Sequence, residues 1–242
     1  MQGAGIWRSA AATNPGKLRT RNEDAFLDSP QQGLWAVADG MGGYGGGDIA
    51  SQLIVANLAA LPLQPDLRER SKAVRQCLRW TNRRLSQELT ITAAQHPAIM
   101  GSTVVALLLE GDRGSCIWAG DSRCYLWRDR QLYQLSKDHS LQQQLITQQL
   151  LSVDEASAHP AAKAVTRAVG AAPDLTLEVL ELDVKPGDTF LLCSDGLHQD
   201  LDGQTLGHGL SLASPQMALD YLFEQVLHGS ARDNLTAVVI TR

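Results

Sequence analysis

No stretch of this 242-residue chain reaches the ~18–20 consecutive apolar residues needed to cross a bilayer. Residues 1–20 hold Arg8 but no apolar run of the kind a secretory leader needs, so a cytoplasmic protein is expected. Basic residues are outnumbered, 21 against 26, leaving a formal net charge of −5. That balance gives no general attraction to nucleic acid or to an anionic membrane. A phosphorylated ligand would have to be met by a local positive site, from arginine or from metal. The four cysteines, Cys77, Cys116, Cys124 and Cys193, form no C-x-x-C pair, which argues against a zinc site or a redox motif. Reduced, mostly buried thiols are expected instead. No Walker A loop is present, since Gly16-Lys17 runs into Leu18, and no C-x5-R loop of the cysteine phosphatases is expected. There is no internal repeat, low-complexity tract or linker.

What is present is a series of short apolar runs separated by turn residues. Strands are expected over 3–12, 33–39, 103–109, 115–119, 123–127, 131–135, 175–182, 189–193 and 235–241. The turns at 110–114, 120–122 and 128–130 suggest consecutive antiparallel pairing of the strands around them. A helix is expected over 48–61, with Ile49, Leu53, Ala56 and Ala60 on one face. A longer one covers 67–89, with the stripe Leu67, Val74, Leu78, Leu85 and Leu89 opposite a solvated Arg/Lys face. Further helices are expected over 141–150, 152–158 and 215–227. Runs such as Phe190-Leu191-Leu192-Cys193 suit sheets covered on both faces. Helical blocks set apart from strand blocks indicate α+β architecture rather than alternating βαβ units.

Four places repeat one local design, an aspartate where an apolar strand meets a tight turn. They are Val37-Ala38-Asp39-Gly40, Ala119-Gly120-Asp121-Ser122, Cys193-Ser194-Asp195-Gly196 and Arg232-Asp233-Asn234-Leu235. A single Asp-Gly is commonly only a turn. Four at strand ends would place carboxylates along a sheet rim. If those rims converge, like charges a few ångströms apart need compensation. Oxygen ligands alone suit hard cations such as Mg²⁺, Mn²⁺ or Ca²⁺ better than zinc. The loop Gly40-Met41-Gly42-Gly43-Tyr44-Gly45 also satisfies G-x-G-x-x-G, but Asp39 beside it would repel a pyrophosphate, and no βαβ repeat follows.

Six motifs in order, Arg19-Thr20-Arg21-Asn22-Glu23-Asp24, Val37-Ala38-Asp39-Gly40-Met41-Gly42-Gly43, Gly101-Ser102-Thr103, Gly120-Asp121-Ser122-Arg123, Ser194-Asp195-Gly196-Leu197 and Arg232-Asp233-Asn234-Leu235-Thr236, resemble those of the metal-dependent protein phosphatases of type 2C in their compact bacterial form. The resemblance implies a four-layer sandwich of two antiparallel β-sheets flanked by α-helices. It implies one catalytic domain over 1–242, with a flap about 141–170. It further implies that Asp39 bridges two Mg²⁺ or Mn²⁺ ions and that the Gly40 carbonyl ligates one. Asp195 and Asp233 would complete the pair, and Asp121 with Asp195 would suit a third, weaker ion. Arg19 would grip the substrate phosphate, and Asp24 would act on the metals through water. Where many eukaryotic members have His, this chain has Met41, and Tyr44 stands where bacterial relatives often have one. Tyr44, a metal-bound water and His139 are therefore the candidate proton donors.

The implied function is hydrolysis of phosphoserine and phosphothreonine in proteins, opposing a serine/threonine kinase, by a monomer with neither nucleic acid nor membrane as partner. The alternatives are a metal-dependent phosphohydrolase of small molecules, a non-catalytic module of the same fold, and a calcium-binding structural module. No motif names a pathway.

Overall fold

The computed structural model of the chain describes residues 7–42, 46–89 and 100–242. One sheet is built from β1 (Arg8–Asn14), β7 (Arg123–Arg128), β8 (Gln131–Gln134), β10 (Thr189–Cys193) and β11 (Leu235–Thr241), in the order β1-β11-β10-β7-β8. The other contains β2 (Asp24–Ser29), β3 (Leu34–Met41), β5 (Val104–Glu110), β6 (Arg113–Ala119) and β9 (Glu178–Asp183), in the order β2-β3-β5-β6-β9, with the short β4 (Gly101–Ser102) also paired to β3. Every pairing between these strands is antiparallel, so the glycine-rich loop is not part of a dinucleotide-binding βαβ unit. Among the described residues, no helix is long and apolar enough to cross a membrane.

The apolar runs divide by the strand period of two. Trp35 and Val37, Val105 and Leu107, Phe190 and Leu192, and Val238 and Ile240 meet between the sheets. Their alternates on β3 and β5, Ala36, Ala38, Val104 and Ala106, face α1 (Gly47–Ala59) and α2 (Leu67–Arg83) through Ile54, Leu58, Val74 and Leu78. On the opposite side Leu191, Ala237 and Val239 pack under two more helices by way of Leu206, Leu219 and Leu222. The result is the four-layer α+β sandwich that the resemblance implied. In chain order the remaining helices are α3 (Leu141–Gln148), α4 (Val153–Ser157), α5 (Asp195–His198), α6 (Gly203–Leu210) and α7 (Pro215–His228).

Local chemistry fixes the helix starts. Asp66 accepts from Glu69 N at 2.9 Å to cap α2, Ser152 and Glu155 form a reciprocal capping box at α4, and Ser214 precedes Pro215 at the first turn of α7. The helix expected over 67–89 is continuous, but residues Arg84–Leu89 form a π-helical turn. The side chain of Leu89 lies outside the described residues, as does the expected strand before Trp7.

Three expectations are corrected. The face of α1 toward the sheet carries Ala50, Ser51, Ile54 and Leu58, whereas Ile49 is 47% exposed. The helix begins at Gly47 and is rotated by the packing of small residues against β3. The four strands from β5 to β8 do not pair consecutively: β5 pairs β6 and β7 pairs β8, but residues 120–122 carry the chain from one sheet to the other. Last, β2, α5 and α6 were not expected at all.

The α1 correction is directly testable by denaturant unfolding. Ile54→Ala should cost about 2–5 kcal/mol as a large-to-small change in a closed core, while Ile49→Ala should stay within about 0.5 kcal/mol. Equal losses would restore the face read from the sequence.

Candidate active site

The topology gathers the aspartates. Strands β3 and β6 both pair antiparallel with β5, so they run in the same direction and end at the same rim. In the facing sheet Cys193, the last residue of β10, pairs with Ala237 near the start of β11. The residues just after β10 and just before β11 therefore share that rim. Two aspartates come from each sheet, and Asp39, Asp121, Asp195 and Asp233 line one cleft of about 450 Å³ together with Arg19 and Gly40. Asp24 lies behind them, in register opposite Asp39 on β2. The expected metal ligands and Arg19 line this cleft, and Asp24 stands against it.

The backbone there leaves no room for side chains. Gly120 sits at φ +118°, and a Cβ on it would strike Thr103. A Cβ on Gly40 would collide with the carbonyls of Gly47 and Glu23, so only glycine lets the start of α1 close over the end of β3. Thr103 Oγ1 accepts from Asp39 N at 3.2 Å and is bonded to Ser122 Oγ at 2.6 Å, joining the two rim loops of one sheet.

Burial gives these carboxyls unusual acidities. Asp39 is pushed well above the ordinary carboxylate range, first by desolvation and then by the charges of Asp24, Asp195, Asp121 and Asp233. Desolvation, with Asp195 nearby, raises Asp121 to about 7. Asp24 rises to about 6 through burial, against the opposing Thr236 and Ser194 hydrogen bonds. Asp195 is also raised, by burial and then by Asp233. Asp24 Oδ2 accepts from Ser194 Oγ at 2.8 Å, yet its buried Oδ1 has no hydrogen-bond partner. An orphaned carboxyl oxygen and mutually repelling acids, all oxygen donors, fit hard cations. The shell is not closed, however: among the described residues no three His, Cys, Asp or Glu side chains are already drawn close enough to hold an ion. Arg19 Nη2 instead leans on Asp233 Oδ2 at 2.7 Å, and Gln199 Nε2 donates to Asp195 Oδ2 at 2.8 Å.

Several cleft residues were missed from the sequence. Asn234 accepts from Glu23 N at 2.8 Å through Oδ1, and its Nδ2 donates to the carbonyls of Pro15 and Arg21. This one buried amide fastens the loop bearing Arg19 to the segment bearing Asp233. Its position directly after Asp233 was the available signal. Lys163 also lines the cleft, reaching it from the segment expected to be a flap. Arg21 lines it as well. His139 is excluded as proton donor by geometry. Its Nδ1 accepts from Gly120 N at 3.0 Å and its Nε2 lies 3.1 Å from Glu178 Oε1, and it is not among the cleft residues. Tyr44 lies outside the described residues. Two cysteines, against expectation, do have C-x5-R spacing, since Arg83 follows Cys77 by six and Arg130 follows Cys124 by six. Cys77 and Arg83 lie on helix α2 and Cys124 is buried on strand β7, so neither cysteine opens a phosphate-cradling loop, and both thiols are raised, the reverse of what a thiolate nucleophile needs.

Residues 17–237 match the family described as Protein phosphatase 2C. The chain is 33% identical over 235 residues to the serine/threonine protein phosphatase PstP of Mycobacterium tuberculosis, covering 97% of this chain but 45% of that protein. It thus spans about half the length of that relative. With the serine/threonine phosphatase stp of Listeria monocytogenes it shares 32% identity over 190 residues, 76% of this chain and 75% of the other. Among solved structures, PppA, a key regulatory component of T6SS in Pseudomonas aeruginosa, superposes with a TM-score of 0.89 at 42% identity over 98% of both chains. The catalytic domain of PstP in complex with two manganese ions gives 0.84 at 31% identity, also over 98% of both chains.

The raised acidities make a stability prediction independent of activity. A carboxyl whose folded pKa lies above its unfolded value near ~3.9 favours the fold below that value and loses the advantage as pH climbs through about 7. In chelator at pH 8, Asp121→Asn should therefore melt higher than the parent, by ~2–4 °C for each kcal/mol released. At pH 4 the gain should disappear. A variant that melts lower at pH 8 would show that Asp121 is not under charge strain.

Proposed function

Because the chain belongs to the protein phosphatase 2C family, we propose that it removes phosphate from phosphoserine and phosphothreonine in proteins by metal-dependent hydrolysis. The observation that carries this reading is the convergence of Asp39, Asp121, Asp195 and Asp233 from both sheets on one cleft with Arg19 at its wall. Asp39, Asp195, Asp233 and the Gly40 carbonyl are the residues that would hold two Mg²⁺ or Mn²⁺ ions, and Asp121 with Asp195 would serve a third. When bound, such ions neutralise phosphoryl oxygens and acidify a water for attack.

The remaining work falls to the chain. Arg19 presents a planar fork that can hold two phosphate oxygens at once. Its present partner is Asp233, so recruitment of Asp233 as a ligand frees Arg19 for the phosphate. Asp24, held by Ser194 and carrying one free oxygen, orients water from behind the ligand aspartates. The flap at 141–170 contributes Lys163 to the mouth. The aspartates present speak against a non-catalytic module, and the likeness to named serine/threonine phosphatases favours protein over small-molecule substrates.

We assign the targets of a serine/threonine kinase as substrates, and a monomer in the cytoplasm as the working form. The 42% identity to PppA supports type VI secretion as the pathway to test first.

Two measurements on a phosphoserine peptide test the assignment. Chelator should abolish turnover and Mn²⁺ or Mg²⁺ should restore it; full activity in excess chelator would refute the mechanism. Arg19→Ala should raise KM by roughly one to two powers of ten, the effect of losing a charge-assisted pair worth ~1.5–3 kcal/mol. Its metal affinity should be equal or tighter, because a competitor for Asp233 has been removed. Weaker metal binding with unchanged KM would reverse the roles given to Arg19.

A further inference from the structure

The cleft does not end at the aspartates. A recess of about 350 Å³ opens beside it and shares Lys163, Asp195 and Asp233 with it. The far wall of the recess carries Gln199, Ser230 and Arg232.

Two cations border this recess without a carboxylate partner. Lys163 Nζ donates at 2.6 Å to Gln199 Oε1, a neutral oxygen. Arg232 is exposed, and it has no hydrogen bond or ion pair with any described residue. The loop presenting Arg232 is held in place. Ala231 occupies the left-handed region at φ +40°, a conformation that needs outside support in a residue with a Cβ. Asp200 supplies it: its Oδ2 accepts from Ser230 Oγ at 3.0 Å and from Ala231 N at 3.2 Å. The one acid confined to the recess is thus engaged in bracing the Arg232 loop. The other two acids, Asp195 and Asp233, are the ones assigned above to metal, so this inference rests on that reading.

We propose that this recess is a subsite for an acidic side chain of the substrate, next to the phosphorylated residue, with Lys163 and Arg232 as its specificity-determining cations. A chain with net charge −5 that keeps two cations without a carboxylate partner beside its reaction cleft is complementary to an anion there. Because the recess and the cleft share walls, only residues flanking the phosphoresidue can reach it. A carboxylate in the recess adds binding and orientation without entering the chemistry, and a lysine in the same place is repelled.

Three phosphoserine peptides, identical except for Glu, Gln or Lys at the flanking positions, test this with the Mn²⁺-loaded full chain. The wild type should show kcat/KM higher for the Glu than for the Gln peptide by about fivefold, the factor corresponding to ~1 kcal/mol for one exposed ion pair, with the Lys peptide lower still. Arg232→Glu should reverse the order, favouring Lys over Glu, which loss of local structure alone would not do. Lys163→Gln should shrink the Glu/Gln ratio. Equal kcat/KM for all three peptides in the wild type, or an order unchanged by Arg232→Glu, overturns the subsite while leaving the phosphatase reading intact. Turnover of none of the peptides by a folded, metal-binding protein overturns the phosphatase reading instead.

Discussion

Mutual repulsion among buried carboxyl groups is the constraint on which the rest of this molecule turns. Asp24, Asp39, Asp121 and Asp195 are all raised, with burial the leading cause and neighbouring aspartates adding to it. A fold selected only for stability would not place them at one rim, because each buried charge without a counter-charge is costly. The sandwich accepts that cost by holding them on strands that have little freedom to separate. Asp39 is inside β3, between β2 and its partners on the other edge, and Asp195 opens α5 directly after a fully buried β10. The rigidity of the surrounding layers keeps the repulsion from relaxing, and so maintains an affinity for cations that no isolated turn would have.

The second layer of the site is a set of neutral groups that fix the backbone without neutralising the acids. Asn234 joins the Arg19 loop to the Asp233 segment by three hydrogen bonds. Ser194 bridges Asp24 and the backbone of Thr236, and Thr103 links Asp39 to Ser122. Amides and hydroxyls suit this task because they satisfy backbone donors and acceptors while leaving the net charge of the cleft negative. Arg19, one of three cations at the cleft with Arg21 and Lys163, has a side chain more than half exposed, as its proposed exchange of Asp233 for a phosphate requires.

Much of this was legible in the sequence, for definite reasons. The apolar runs at 189–193 and 235–241 coincide with β10 and β11, because a strand buried on both faces needs an unbroken apolar segment and ends where that segment ends. The four Asp motifs were visible because each joins such a run to a turn. What was not legible depended on long-range packing. Strand β2, Asp24–Ser29, alternates weakly and takes its identity from pairing with β3. The buried face of α1 is set by small residues, Ala50 and Ser51, that carry little hydrophobic signal. The sheet change at 120–122 cannot be told from a hairpin locally, since Gly120 sits at positive φ just as Gly111 does in the turn between β5 and β6. The roles of Asn234 and Lys163 rest on partners 211 and 36 residues away.

The central claim, that cations relieve charge strain among carboxyls with raised acidities, is tested most directly by counting protons released on metal binding. Calorimetric titration of Mn²⁺ into the chelator-stripped protein, in buffers of different ionisation enthalpy, gives that count at each pH. Carboxyls titrating near about 6 and about 7 should give clear proton release at pH 6 that falls toward zero at pH 8.5, with affinity rising over the same range. Binding that is as tight at pH 6 as at pH 8.5, with no proton released at either, would contradict the account.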